Sequence, residues 1–138
     1  MIVVDASAAI TALVNAGPAR HALTEQQLHV PHLVDVEIAS GLRRATAAGR
    51  LDPGAAWTAL DHWRRLGATR YGLLALLDRV WELRENVSAY DASYVALAEH
   101  LDCVLLTADG RLGRAPAGLT ELVGIFGGSV NCSSSSRT

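Results

Sequence analysis

The sequence predicts an α/β domain with a central, mostly parallel sheet of about five strands covered by helices on both faces. Two observations carry that expectation. Short, almost wholly apolar runs, "IVV" at residues 2–4, "CVLL" at 103–106 and "LVGI" at 122–125, are the mark of strands buried on both sides. Between them lie longer stretches with apolar residues at helical spacing, and such alternation is the signature of a parallel sheet. A chain of 138 residues, half of them hydrophobic, is long enough for one substantial core.

The elements follow in order. Ile2 to Val4 form the first strand, and a helix from about Ser7 to Asn15 follows. "GPARHALTEQQ" restarts as a second helix with Pro18 in its opening turn, where the missing N–H costs nothing. A short strand around Leu28 to Val30 leads to a long helix from about His32 to Ala48, stopped at Gly49. "DPGAAWTALDHWRRLG" opens on Asp-Pro and closes at Gly67, with Trp57, Leu60 and Trp63 at helical spacing. A weak strand is expected near Ala68 to Tyr71, then helices at about Leu73 to Glu85 and Tyr90 to Leu101. Strands over Cys103 to Leu106 and Leu122 to Ile125 complete a domain spanning 1–126. The Gly/Ser-rich segment 127–138 is expected to be a disordered tail.

Composition narrows the classes of function. The formal net charge is −2, so any basic surface for a nucleic acid must be local. All twelve basic residues are arginine, a pattern better explained by genomic base composition than by phosphate binding. No apolar run approaches the roughly 18 residues of a membrane span, and the N-terminus lacks the features of a signal peptide. Cys103 and Cys132 match neither a disulfide framework nor a metal-ligand spacing. The expectation is a soluble, cytoplasmic protein.

Acids at the ends of buried strands are the chemical signal. Asp5 closes the first strand and Asp109 follows "VLLTA"; ligands of parallel sheets bind beyond such carboxyl ends. Each acid has a plain structural role available. Asp5 can cap the helix it precedes, Asp109 can serve an Asp-Gly turn, and Asp91 stands three residues after Ser88 as in a capping box. Glu37, beside the stripe of Ile38, Leu42 and Ala45, ranks above its neighbour Asp35 on spacing alone. Four carboxylates gathered in one crevice would need a cation or raised pKa values, because two negative charges at 4 Å repel by about 4 kcal/mol at an effective dielectric of 20. Oxygen ligands without a neighbouring histidine pair or thiol suit Mg²⁺ or Mn²⁺ rather than zinc.

The blocks "IVVDASA", "VPHLVDVEIASGLRRA" and "YDASYVALAEHLDCVLLTADGRL" resemble, in order and interval, those of PIN-domain nucleases and in particular VapC-type toxins. The resemblance spans residues 2 to about 112. It implies a three-layer α/β/α sandwich, selects Glu37 over Asp35, and makes Asp5, Glu37, Asp91 and Asp109 an acidic quartet holding Mg²⁺ (Mn²⁺ as substitute). It places Ser7 and Thr107 as supporting hydroxyls. The activity it implies is endonucleolytic cleavage of RNA to a 5′-phosphate and a 3′-hydroxyl. Arg43, Arg44, Arg50, Arg64 and Arg65 are candidates for a backbone-binding groove, with a solvated helix face as the alternative. A VapB-like antitoxin and a homodimer are the implied partners, with Trp57, Leu60 and Trp63 as possible contact residues. Gly110 to Ala115 lack the further metal-side residue that some relatives carry, which bears on a second metal site. Two other readings compete: a phosphohydrolase or phosphotransfer domain using Asp5, and a non-catalytic fold whose acids only cap helices.

Overall fold

The computed structural model describes residues 1–113, 122–126 and 129–132. Its elements, in chain order, are β1 (Ile2–Val4), α1 (Ala6–Val14), α2 (Pro18–Glu25), β2 (Leu28–Pro31), α3 (Val34–Ala47), α4 (Pro53–Arg65) and β3 (Ala68–Tyr71). A 3-10 turn (Leu74–Leu76) then runs into α5 (Leu77–Glu82), followed by α6 (Ala89–Leu101), β4 (Val104–Thr107), α7 (Gly110–Gly113), β5 (Leu122–Phe126) and β6 (Ser129–Cys132).

Six strands form one sheet in the order β3-β2-β1-β4-β5-β6. The first five pair in parallel, and β6 pairs antiparallel to β5. The chain leaves β1 toward β2 on one side and later returns to β4 on the other. A crevice therefore opens above β1 and β4, the switch point where parallel sheets bind ligands. The ladder fixes what lies there. Val4 stands opposite Leu106, so the next residues, Asp5 and Thr107, emerge side by side.

Both sheet faces are covered. Val3 and Val4 point to opposite faces, and both are fully buried; Leu105 and the adjacent Leu106 are buried likewise. Helix α1 packs on α2, α3 and α4, while α6 packs on β1, β2, β4 and α5. Gly41 eases the close approach of α3 to α1, since a β-carbon there would run into the terminal methyl of Ile10. Gly49, in the left-handed region at φ +71°, ends α3 where the sequence expects it.

Two expectations need correction. The sheet has six strands rather than about five, and the extra one lies in the segment 127–138 read as a tail. An antiparallel edge strand needs only backbone donors and acceptors for its ladder, so "SVNC" carries no apolar signal. The other tail residues, 127–128 and 133–138, lie outside the described residues. The helix expected over Leu73 to Glu85 is instead a 3-10 turn and the short α5. No residue within α5 is buried, and Leu77 and Trp81 are exposed, so no apolar stripe sustains a longer helix. Among the described residues no helix is long and apolar enough to cross a membrane.

Candidate active site

Asp5 sits at the exit of β1, almost completely buried. Its Oδ1 accepts hydrogen bonds from the Ala8 backbone N–H (2.9 Å) and the Ser7 hydroxyl (2.7 Å). Its Oδ2 accepts one from the Thr107 hydroxyl (2.5 Å). Asp5 thus caps α1 and also faces the crevice, so the structural and chemical roles coincide. Ser7 and Thr107 are held in turn, by the backbone N–H groups of Ala108 (3.0 Å) and Asp109 (3.0 Å) respectively. The loop that carries Asp109 is thereby tied, through two hydroxyls, to the carboxylate of Asp5.

Glu37 rises from the first turns of α3, the helix that follows β2. Its Oε1 accepts a 2.5 Å hydrogen bond from the hydroxyl of Tyr94 on α6. Asp91 occupies the first turn of α6, whose N-cap Ser88 accepts the Asp91 backbone N–H at 3.2 Å. Here too a cap and a candidate acid share one motif.

All four acids, Asp5, Glu37, Asp91 and Asp109, line a single cavity of about 590 Å³. Ser7, Ser40, Arg44, Ser88, Tyr90 and Tyr94 also line it. Among the described residues, no three of the His, Cys, Asp and Glu side chains already stand together as a closed metal-ligand set. The acids share one cavity wall. Their charges act on one another. Burial pushes the Asp5 carboxyl above the ordinary carboxylate range, against its three hydrogen bonds, and the charge of Asp91 adds to the rise. Burial also raises Glu37, with the charges of Asp5 and Asp91 in the same direction; the Tyr94 hydrogen bond and Arg44 oppose it.

Asp35, the rival of Glu37, belongs to another structure. It takes Arg70 as a two-pronged partner (Nε to Oδ2 2.7 Å, Nη2 to Oδ1 2.8 Å) and accepts the Trp63 indole N–H at 2.8 Å. Those bonds hold its carboxyl below the ordinary range, with the Arg70 hydrogen bond the main cause. Of the five candidate arginines only Arg44 lines the cavity, donating to Ser40 Oγ at 2.9 Å. Arg43 and Arg50 are exposed elsewhere on α3 and beyond its end, and Arg64 and Arg65 both pair with Asp61 on α4. Trp63 is buried, whereas Trp57 is exposed beneath the Arg64 guanidinium.

Tyr94 is the residue that sequence reasoning missed. Its helical spacing with Ala98 marks it as packing, and the ring is buried, but spacing says nothing of where the phenol ends. Ser40, one turn after Glu37 and next to Gly41, was legible only as a small residue on the same helix face.

With this geometry in view, similarity decides the family. A profile described as PIN domain matches residues 2–118. The chain belongs to the PIN-domain family. Ribonuclease VapC9 of Mycobacterium tuberculosis (strain ATCC 25618 / H37Rv) is 58% identical over 123 residues, covering 87% of this chain and 97% of that protein. Ribonuclease VapC1 of the same strain is 43% identical over 119 residues, covering 83% and 90%. Within the PIN-domain family the chain therefore groups with the VapC-type toxins. Among solved structures, PAE2754 from Pyrobaculum aerophilum superposes with a TM-score of 0.60 at 29% identity, covering 80% of this chain and 76% of that one. A toxin–antitoxin complex from Klebsiella pneumoniae reaches a TM-score of 0.62 at 18% identity, covering 89% and 96%, and speaks for the PIN fold alone.

Proposed function

We propose that this PIN-domain protein is a metal-dependent endoribonuclease and the toxin of a toxin–antitoxin pair, with Asp5, Glu37, Asp91 and Asp109 as its acidic site. The observation that carries the reading is the convergence of these four acids, from β1, α3, α6 and the β4 exit, on one cavity of a chain closely similar to VapC ribonucleases. The donor set fits a hard divalent cation. It offers carboxylate oxygens only; burial raises Asp5 and Glu37, with neighbouring negative charge adding to the rise, and a bound cation would favour their ionised forms against both. Asp5, Asp91 and Asp109 would hold Mg²⁺ (or Mn²⁺), with Glu37 as a further ligand or as the group that orients water. The metal would lower the pKa of a bound water and neutralise charge developing on the phosphate.

The chain's own groups have distinct tasks. Ser7 and Thr107 hold both oxygens of Asp5, so its orientation is set before substrate arrives. Glu37 has Oε1 occupied by Tyr94, leaving Oε2 to accept the proton of the attacking water. Arg44, braced on Ser40, offers a guanidinium to a non-bridging phosphate oxygen. Water oxygen bonds to phosphorus, the bond to the 3′ oxygen breaks, and that oxygen takes up a proton. The products are a 5′-phosphate and a 3′-hydroxyl.

The partner follows from the same reading: a small antitoxin protein seated at the acidic crevice, with two copies of the toxin in the assembly and the pair acting in the cytoplasm. Co-purification with the product of a neighbouring gene tests the antitoxin, and monomeric behaviour at high concentration would count against the dimer. The activity is tested by incubating RNA with the purified chain in Mg²⁺, with and without chelator. Cleavage should stop with chelator and in Asp91→Asn, and cleavage that survives Asp91→Asn rejects the site.

A further inference from the structure

We infer that Tyr94 is a positioning residue of the acidic site, a strut whose hydroxyl fixes Glu37 of α3 relative to Asp91 of α6; this role rests on the metal-site reading above. Tyr94 and Asp91 are three residues apart on α6 and share one helix face, and both line the cavity. The Tyr94 ring is held rigidly, being 1% exposed in the core. From that anchor its single hydroxyl proton goes to Glu37 Oε1 at 2.5 Å. That oxygen therefore joins the helix that carries Asp91 to the carboxylate of Glu37.

Without it, Glu37 has three rotatable bonds and is only half-buried, and its repulsion from Asp5 and Asp91 favours swinging away from the cavity. The hydroxyl removes that freedom and leaves Oε2 as the oxygen facing the site. This is the arrangement by which outer groups orient the ligands of a metal centre.

Tyr94→Phe keeps the ring and deletes only the strut. The expected result is a fall of about 10- to 100-fold in Mn²⁺ affinity, measured by calorimetry or by loss of the free-ion spin-resonance signal. kcat should fall similarly with KM for RNA little changed. A double-mutant cycle separates this role from plain packing. Adding Tyr94→Phe to Glu37→Ala, which leaves the hydroxyl nothing to hold, should cost nothing further, whereas a structural residue acting on the whole fold would give additive losses. Should Tyr94→Phe not fold, Glu37→Asp withdraws the carboxylate from the phenol by one methylene and should show the same loss of Mn²⁺ affinity. Mn²⁺ affinity within twofold of wild type in the folded variant, or additive losses in the cycle, overturns the inference. A wild-type chain that binds no Mn²⁺ overturns the metal-site reading itself, and the strut falls with it.

Discussion

At Glu37 the demands of folding and of the proposed chemistry pull in opposite directions. Burial and the charges of Asp5 and Asp91 raise its pKa above the ordinary 4.5, so the folded protein binds that proton more tightly than the unfolded chain does. Ionising Glu37 therefore weakens the fold. The penalty is absent below the unfolded value, grows as pH rises through the folded one, and is complete above it. Glu37→Gln keeps an oxygen for the Tyr94 hydroxyl and removes the charge. In chelator at neutral pH it should melt above wild type, and the gap should close on acidification below about 4.5, as thermal unfolding across that range would show. Asp5 works in the same sense from its ordinary 3.8 upward. Saturating Mn²⁺ should reverse the order, because a ligand at one hundred times its Kd adds about 2.7 kcal/mol to the state that binds it. The sequence exposed these acids unevenly. Asp5 was visible as a cap and Asp91 as the acid of a capping box, and Asp5 and Ser88 do cap their helices; what spacing could not show is that both acids also face the crevice. The Tyr94 strut was invisible for a different reason: a helical stripe places a ring without revealing what its hydroxyl meets.

Elements are clasped by Asp35, the acid that sequence spacing ranked just behind Glu37. Standing two residues before Glu37 on α3, it joins that helix to Trp63 of α4 and Arg70 of β3. Removing it strands the indole N–H of a buried tryptophan and leaves a guanidinium without its two-pronged partner. Because the Asp35 side chain is 42% exposed, water offsets part of the loss, and Asp35→Ala should cost about 1–2 kcal/mol by denaturant unfolding. Mn²⁺ affinity should stay near wild type, since the carboxylate is no part of the cavity wall; a large loss there would mean that α3 shifts as a body. The same clasp explains why β3 was the faintest parallel strand in the sequence. Its "ATRY" is half-exposed at the sheet edge and is fastened by Arg70 rather than by an apolar run. The strands buried on both faces, β1 and β4, were legible because burial itself demands the apolar pattern.

For the molecule as a whole the difficulty in the proposed function is charge: a protein of net charge −2 would offer a pocket of four acids to a polyanion. On the proposed reading a cation in the pocket would answer part of it, and fixed positive charge at the rim would answer the rest. The fold allots that charge sparingly. Arg64 and Arg65 are engaged with Asp61, Arg79 with Glu99 and Glu82, and Arg70 with Asp35. Arg44 alone among the five sequence candidates lines the cavity, one helical turn beyond Ser40 and two beyond Glu37. Its guanidinium contacts only an uncharged hydroxyl in the hydrogen bonds of the described residues, so a phosphate can take it without breaking an ion pair. Arg44→Ala should therefore raise KM for RNA about tenfold, with kcat reduced less, and Arg64→Ala or Arg65→Ala should change neither appreciably. Salt provides the stricter check. Each phosphate contact to a single strand contributes about 0.7 to the slope of log affinity against log salt. Measured on the inactive Asp91→Asn background, Arg44→Ala should flatten that slope by about one such contact, while Arg64→Ala leaves it unchanged. Equal flattening by both would mean that RNA lies across α4 as well, and that the long-range field of the surface rather than the rim of the crevice places the substrate.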